Sequence, residues 1–153
     1  MNKIIIQDNF LTKIECEKLI KFYESKEQPP IFDTTYPLPL EKNKHRSLVK
    51  KINKVGMSIN KSVIEWFQIV KWPFPNKGKN LHLDSASNKT ILSAIIYLNN
   101  DFKGGYTWFK DTTHIAPVAG RAIFFDGTKY PHGVSIIDEG IRYTIAIWFK
   151  KNK

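Results

Sequence analysis

From Leu81 to its end the chain is a succession of short runs rich in β-branched and aromatic residues, each closed by a turn. The runs are Thr90–Leu98 (TILSAIIYL), Tyr106–Phe109 (YTWF), Thr113–Val118 (THIAPV), Arg121–Phe125 (RAIFF), His132–Ile137 (HGVSII) and Arg142–Phe149 (RYTIAIWF). Between them lie Asn99-Asn100, Gly104-Gly105, Ala119-Gly120, Asp126-Gly127 and Glu139-Gly140. Such residues fit a pleated, half-buried surface, and glycine-bearing pairs supply the turn conformations that join strands. Strands this closely spaced close into a sandwich, jelly roll or barrel. The second half of the chain is therefore expected to be an all-β body.

The first half reads differently. A short apolar strand is expected at Lys3–Ile6. Thr12 and Glu15 form a capping box, opening a helix to about Ser25 with Cys16, Leu19, Ile20 and Tyr23 on one stripe. The Pro-rich segment Pro29–His45 breaks all periodicity. Long irregular segments in compact domains commonly bind or cover ligands, so it reads either as a lid or as a passive surface connection. Leu48, Ile52, Val55, Ile59, Val63 and Trp66 then step by three or four, which predicts a second helix reaching the end of that series. The expected organisation is one domain, with residues 1–68 as helical support and lid and 69–150 as the β core.

Composition sets outer limits. With 153 residues and 42% hydrophobic content, the chain can bury a real core. No apolar run approaches the ~20 residues of a membrane span, and Ile4-Ile5-Ile6 is too short for a signal-peptide core. The lone cysteine, Cys16, cannot form an intrachain disulfide; this fits a reducing cytoplasm. The net charge of +10 favours acidic partners. Its lysines are spread along the chain, which reads first as a solvated surface. Richness in Lys, Asn and Ile fits an AT-rich microbial or viral genome.

The chemistry starts from His82 and Asp84 in "LHLDSAS". On a strand, residues two apart project to one face, presenting an imidazole nitrogen and a carboxylate oxygen together. A second histidine would complete a facial triad of two histidines and one carboxylate, the arrangement of non-haem Fe(II) oxygenases. His45 lies in the Pro-rich segment, and His114 stands alone in "DTTHIAPV" with no carboxylate positioned to support it. His132 is followed by a glycine that permits close backbone approach. Arg142 comes ten residues later at the start of the last strong run. A hairpin of that length can return the arginine beside the metal, to clamp a dicarboxylate.

The blocks "HLD", "TILSAIIYLNNDFKGGYTWF", "PVAGRAIFF", "HGV" and "GIRYTIAIWF" occur in order over roughly residues 69–149. Together they resemble the prolyl 4-hydroxylase-like branch of the iron(II)/2-oxoglutarate-dependent dioxygenases. "FLTKIECEKLI" resembles the helix with which members of that branch often begin. The resemblance implies a double-stranded β-helix, a jelly roll, with two supporting N-terminal helices. It implies that His82, Asp84 and His132 hold Fe(II), and that Arg142 binds the distal carboxylate of 2-oxoglutarate. Tyr97 would set its phenol against the same carboxylate. Thr144, one alternation along from Arg142, would add a hydroxyl, and Trp148 would wall the pocket. Gly104, Gly105 and Gly120 read as turn residues with no chemical role. The implied reaction consumes 2-oxoglutarate and O2, releases succinate and CO2, and hydroxylates an unactivated C–H bond; ascorbate is the expected reductant.

The pattern departs from the family in places that bear on substrate. Trp72 stands where members often have a tyrosine, and Tyr106 where many have an acidic residue. Lys89-Thr90 opens the strand where some carry an arginine. A prolyl residue of a peptide or protein is the leading expectation for substrate. A free amino acid or other small molecule is the close variant, and a nucleic-acid oxygenase is the alternative that the charge suggests. Against the last stands Trp148, where alkylation-repair oxygenases place a further arginine. A jelly-roll module without turnover is the non-enzymatic reading, and no ligand position is missing to support it. With no separate peptide-binding domain expected, recognition falls to the helices, the Pro-rich segment and the barrel mouth. Nothing in the sequence fixes the oligomeric state, with which a monomer is compatible.

Overall fold

The computed structural model describes residues 3–153. Strand β1 (Ile5–Gln7) leads into helix α1 (Lys13–Glu24), whose start is held by the reciprocal Thr12–Glu15 capping box. Strand β2 (Tyr36–Pro39) and a 3-10 turn at Lys42–Lys44 precede helix α2 (Arg46–Asn60). Ten strands follow: β3 (Ser62–Trp72), β4 (Lys79–His82), β5 (Thr90–Tyr97), β6 (Lys103–Gly104), β7 (Thr107–Phe109), β8 (His114–Ile115), β9 (Ala122–Phe125), β10 (His132–Val134), β11 (Ile137–Glu139) and β12 (Arg142–Lys151).

All strand pairs are antiparallel. The large sheet runs β1-β9-β5-β12-β3-β2, the small one β4-β10-β7-β8, and β11 pairs with β6. This is the expected jelly roll, with α1 and α2 packed outside the large sheet. Strand alternation separates two environments. On the outer face, Phe67, Ile69, Leu92, Ile96, Phe124, Ile145, Ile147 and Phe149 bury against Phe10, Leu11, Cys16, Tyr23, Leu48 and Ile52. On the inner face, Tyr97, Phe109, Ile123, Phe125 and Tyr130 form one cluster, and Val70, Trp72, Val134 and Ile137 another. A cavity with both apolar and polar side chains on its walls opens between the sheets.

Two expectations need correction. Helix α2 stops at Asn60 rather than running to Trp66, and Val63 and Trp66 belong to β3. The spacing of the apolar residues continues past the helix, but Lys61 turns left-handed at φ 57° and ends it. The segment beyond carries Val63, Ile64, Ile69 and Val70, which fit a strand, and pairing with β12 decides the matter. The β framework therefore begins before residue 69. The segment Pro29–His45 is also less irregular than its prolines suggest, because β2 within it pairs with β3 at the sheet edge. Proline is tolerated on an edge strand because an unpaired side needs no donor.

Gly56 explains how closely α2 can sit. A Cβ there would lie 2.5 Å from the Ser62 carbonyl oxygen and 3.0 Å from the Phe149 ring. Gly56→Ala gains about 1 kcal/mol of helix propensity, whereas overpacking typically costs about 1–3 kcal/mol. The expected result is a melting temperature lower by a few degrees in a thermal scan; a rise would show that α2 can back away freely.

Candidate active site

His82 ends β4 and His132 begins β10, and the two are direct cross-strand partners. Their rings lie 4.5 Å apart between centroids. In each ring Nδ1 sits 2.9 Å from a backbone carbonyl, that of Asn80 for His82 and that of Tyr130 for His132. A carbonyl only accepts, so Nδ1 carries a proton, and Nε2 is the nitrogen left either to donate to Asp84 or, once deprotonated, to hold a metal. Both Nε2 atoms face Asp84, at 3.4 Å from Oδ1 for His82 and 3.2 Å from Oδ2 for His132. Phe125 packs edge-on against the His132 ring at 4.7 Å. One oxygen and two nitrogens thus converge within 4.8 Å, a donor set suited to a divalent cation. Fixing Nδ1 on carbonyls orients each ring in advance, as outer hydrogen bonds do in metal sites.

Asp84 reaches this point by a route other than strand alternation, because β4 has already ended at His82. Its backbone N–H donates to the Gly127 carbonyl at 2.7 Å, which tethers the turn after β4 to the turn after β9. Gly127 must lack a side chain: a Cβ there would stand 2.6 Å from Asp84 Oδ2 and 2.3 Å from Ser93 Oγ. Burial opposes ionisation of Asp84, but hydrogen bonds from His132 and His82 outweigh it and hold the carboxyl well below the usual carboxylate range. In the sequence Asp126-Gly127 carries only a turn signal. The Gly133 backbone serves differently from expected as well. Its missing Cβ makes room for the Lys79 carbonyl and the Trp108 indole, letting β10 fit between its neighbours.

Deeper in the cavity, Arg142 is 1% exposed. Its Nε donates to the Gly105 carbonyl at 2.9 Å and its Nη2 to Thr107 Oγ1 at 3.4 Å. The guanidinium carbon lies 4.9 Å from the Trp72 ring and 5.5 Å from the Tyr97 ring. No carboxylate pairs with it among the described residues. Gly105 is thus more than a turn residue: it accepts from Arg142, and a Cβ on it would stand 2.9 Å from Arg142 Cδ. Tyr97 is fully buried, with its hydroxyl hydrogen-bonded to Thr107. Burial pushes its phenol up against the opposing pull of Arg142, which keeps the hydroxyl protonated.

Thr144 and Trp148 both line the cavity, as do Val70, Trp72 and Ala146. Thr107 was not singled out in the sequence, since a lone threonine in "YTWF" carries no signal. The remaining candidates lie elsewhere. His114 is exposed beside Trp108, with ring centroids 6.4 Å apart. His45 precedes α2 and packs against Phe22 at 4.8 Å. Burial pushes the Cys16 thiol up to about 11, in keeping with a packing role.

The sequence model of the 2OG-Fe(II) oxygenase superfamily matches residues 67–150, more than half of the chain. The chain belongs to that superfamily. Human prolyl 3-hydroxylase 1 is 45% identical over 64 residues, a match covering 37% of this chain and 9% of the human protein. The chain therefore corresponds to a small part of that relative's length. The viral collagen prolyl hydroxylase of Paramecium bursaria Chlorella virus-1, solved as a 2-oxoglutarate complex, superposes with a TM-score of 0.80 at 22% identity. That match covers 98% of this chain and 96% of the viral one. A Trichoplax adhaerens prolyl hydroxylase, solved with a hypoxia inducible factor peptide fragment, superposes at 0.82 with 16% identity, covering 99% and 84%. At these identities the two structures support the fold.

The donor set suits the two reagents by which that superfamily is named. Two imidazoles and a carboxylate suit Fe(II), and an unpaired buried guanidinium suits a carboxylate. Gly127→Ala, which touches none of the three donor residues' identities, is expected to push the Asp84 carboxylate aside. Mn(II) affinity, read by calorimetry, should fall at least tenfold; undiminished affinity would show that Asp84 is not held by this contact.

Proposed function

We propose that this oxygenase hydroxylates a prolyl residue within a peptide or protein, with His82, Asp84 and His132 holding Fe(II) and Arg142 binding the distal carboxylate of 2-oxoglutarate. The observation that carries the substrate reading is the rim of the cavity. Phe32, Pro37, Trp66, Leu83 and Trp148 line a groove that leads to His82 and Asp84, with Gln68, Ser85 and Ala86 between them. Phe32, Trp66 and Leu83 are exposed there. Exposed aromatic and aliphatic side chains around a polar centre suit an extended peptide whose proline rings pack on aromatic faces.

The remaining residues position and enclose. Glu65 accepts from Ser87 and from Thr90, the latter at 2.9 Å, which ties the segment after Asp84 to β3. Phe32 and Asp33 project from a turn closed by the Phe32–Thr35 hydrogen bonds, and both border the cavity. This turn is the part of the Pro-rich segment that we assign to covering substrate. When bound, iron and 2-oxoglutarate supply the oxidising chemistry and release succinate and CO2. The protein's own task is to hold the C–H bond against that centre and limit water. Tyr97 and Thr144 support the 2-oxoglutarate end, ascorbate serves as reductant, and the lone buried thiol fits a cytoplasmic site of action. No helix among the described residues is long and apolar enough to cross a membrane.

Two experiments address these assignments. Purified protein given Fe(II) and 2-oxoglutarate should release succinate slowly without substrate, and His132→Ala and Asp84→Ala should abolish that release. Full turnover in either variant would refute the ligand assignment. With proline-containing peptides, mass spectrometry should show gain of one oxygen that requires 2-oxoglutarate. Trp66→Ala should raise the peptide KM about tenfold while leaving substrate-free succinate release unchanged. Oxidation confined to free amino acids or nucleobases would redirect the substrate assignment.

A further inference from the structure

The indole of Trp72 carries an unmet hydrogen bond. Its Nε1 is buried without a partner among the described residues, although the side chain is 7% exposed and borders the cavity. A buried N–H left unpaired is destabilising, and such a group calls for an explanation, for which a bound acceptor is a natural candidate at a cavity wall. Trp72 is the β-sheet partner of Arg142, and the Arg142 guanidinium stands over its ring at 4.9 Å. Two donor-bearing side chains without an anion, one charged and one neutral, therefore meet at the same end of the cavity. The side chains around them, Tyr97, Thr107, Thr144, Val70 and Ala146, supply hydroxyls, an aromatic ring and aliphatic carbon but no carboxylate.

We propose that the Trp72 indole N–H donates to the 2-oxoglutarate carboxylate that Arg142 holds, making Trp72 a co-substrate-binding residue. This rests on the dioxygenase reading above. The ring does two jobs that separate under mutation. Its face packs beneath the guanidinium, which phenylalanine can imitate, and its N–H serves the carboxylate, which phenylalanine cannot. Loss of the donor alone should weaken the ligand without weakening the protein, since removing an orphaned N–H relieves the ligand-free state.

The test uses the full chain loaded with Zn(II), which is diamagnetic and does not turn over. The chain has four tryptophans, so the indole 15N–1H spectrum is simple, and Trp72→Phe identifies the signal by its disappearance. On titration with 2-oxoglutarate, and with succinate, which has the carboxylate but lacks the chelating oxo acid, the Trp72 indole proton should move downfield. Calorimetry should give 2-oxoglutarate affinity about tenfold weaker in Trp72→Phe, with a ligand-free melting temperature no lower than wild type. An indole signal that does not respond to ligand, or equal affinity in the two proteins, overturns the assignment. Failure of wild-type protein to bind 2-oxoglutarate would overturn the dioxygenase reading itself, a distinguishable outcome.

Discussion

A guanidinium with no counter-ion among the described residues, buried between two sheets, is the constraint around which this molecule is organised. Arg142 is held by one carbonyl and one hydroxyl and rests between two aromatic rings. Burial alone depresses the charged form, and Tyr97 opposes that only in part. An uncompensated buried charge is among the most unfavourable features a core can hold. Its persistence here makes sense if a ligand carboxylate completes the pair. The surroundings are shaped to it: Gly105 lacks the Cβ that would crowd the side chain, and its carbonyl turns toward Nε.

Strand β12 places this charge relative to the other end of the site. Lying between β5 and β3, it pairs Arg142 with Trp72, Thr144 with Val70 and Tyr97, Ala146 with Gln68 and Ile95, and Trp148 with Trp66 and Ser93. Alternation sends each of these β12 residues into the cavity, while Ile145 and Phe149 anchor the opposite face against the helices. The floor thus passes from a charged base to an aromatic rim. Ser93, on the rim rung, approaches the Asp84 carboxylate across Gly127. Under the proposed function, one strand spaces the 2-oxoglutarate end from the substrate end, and the small sheet brings His82 and His132 over it.

Much of this was legible in the sequence, because strand periodicity and turn residues act locally. His82, Asp84, His132 and Arg142 stood out as residue types rarely placed on apolar strands without purpose, and the structure gathers the first three and buries the fourth. What was hidden depended on tertiary pairing. The helical spacing of Val63 and Trp66 continued that of α2, and only pairing with β12 made them strand. Asp84 was expected to share a face with His82 by alternation, yet it is set by a hydrogen bond to Gly127, distant in sequence. Gly105, Gly127 and Thr107 act through contacts between segments, for which a linear pattern holds no signal. Trp72 was visible as a departure from the family, but its free indole N–H emerges only once the cavity walls are in place.

Thermal unfolding of wild type and Arg142→Met, with and without 2-oxoglutarate, tests most directly whether Arg142 is a charge that a ligand carboxylate completes. Methionine fills a similar volume without charge. The ligand-free variant should melt no lower than wild type, and saturating 2-oxoglutarate should raise the melting temperature of wild type alone. A ligand-free variant that melts much lower, yet is still stabilised by 2-oxoglutarate, would show instead that Arg142 is a structural residue and that the carboxylate binds elsewhere.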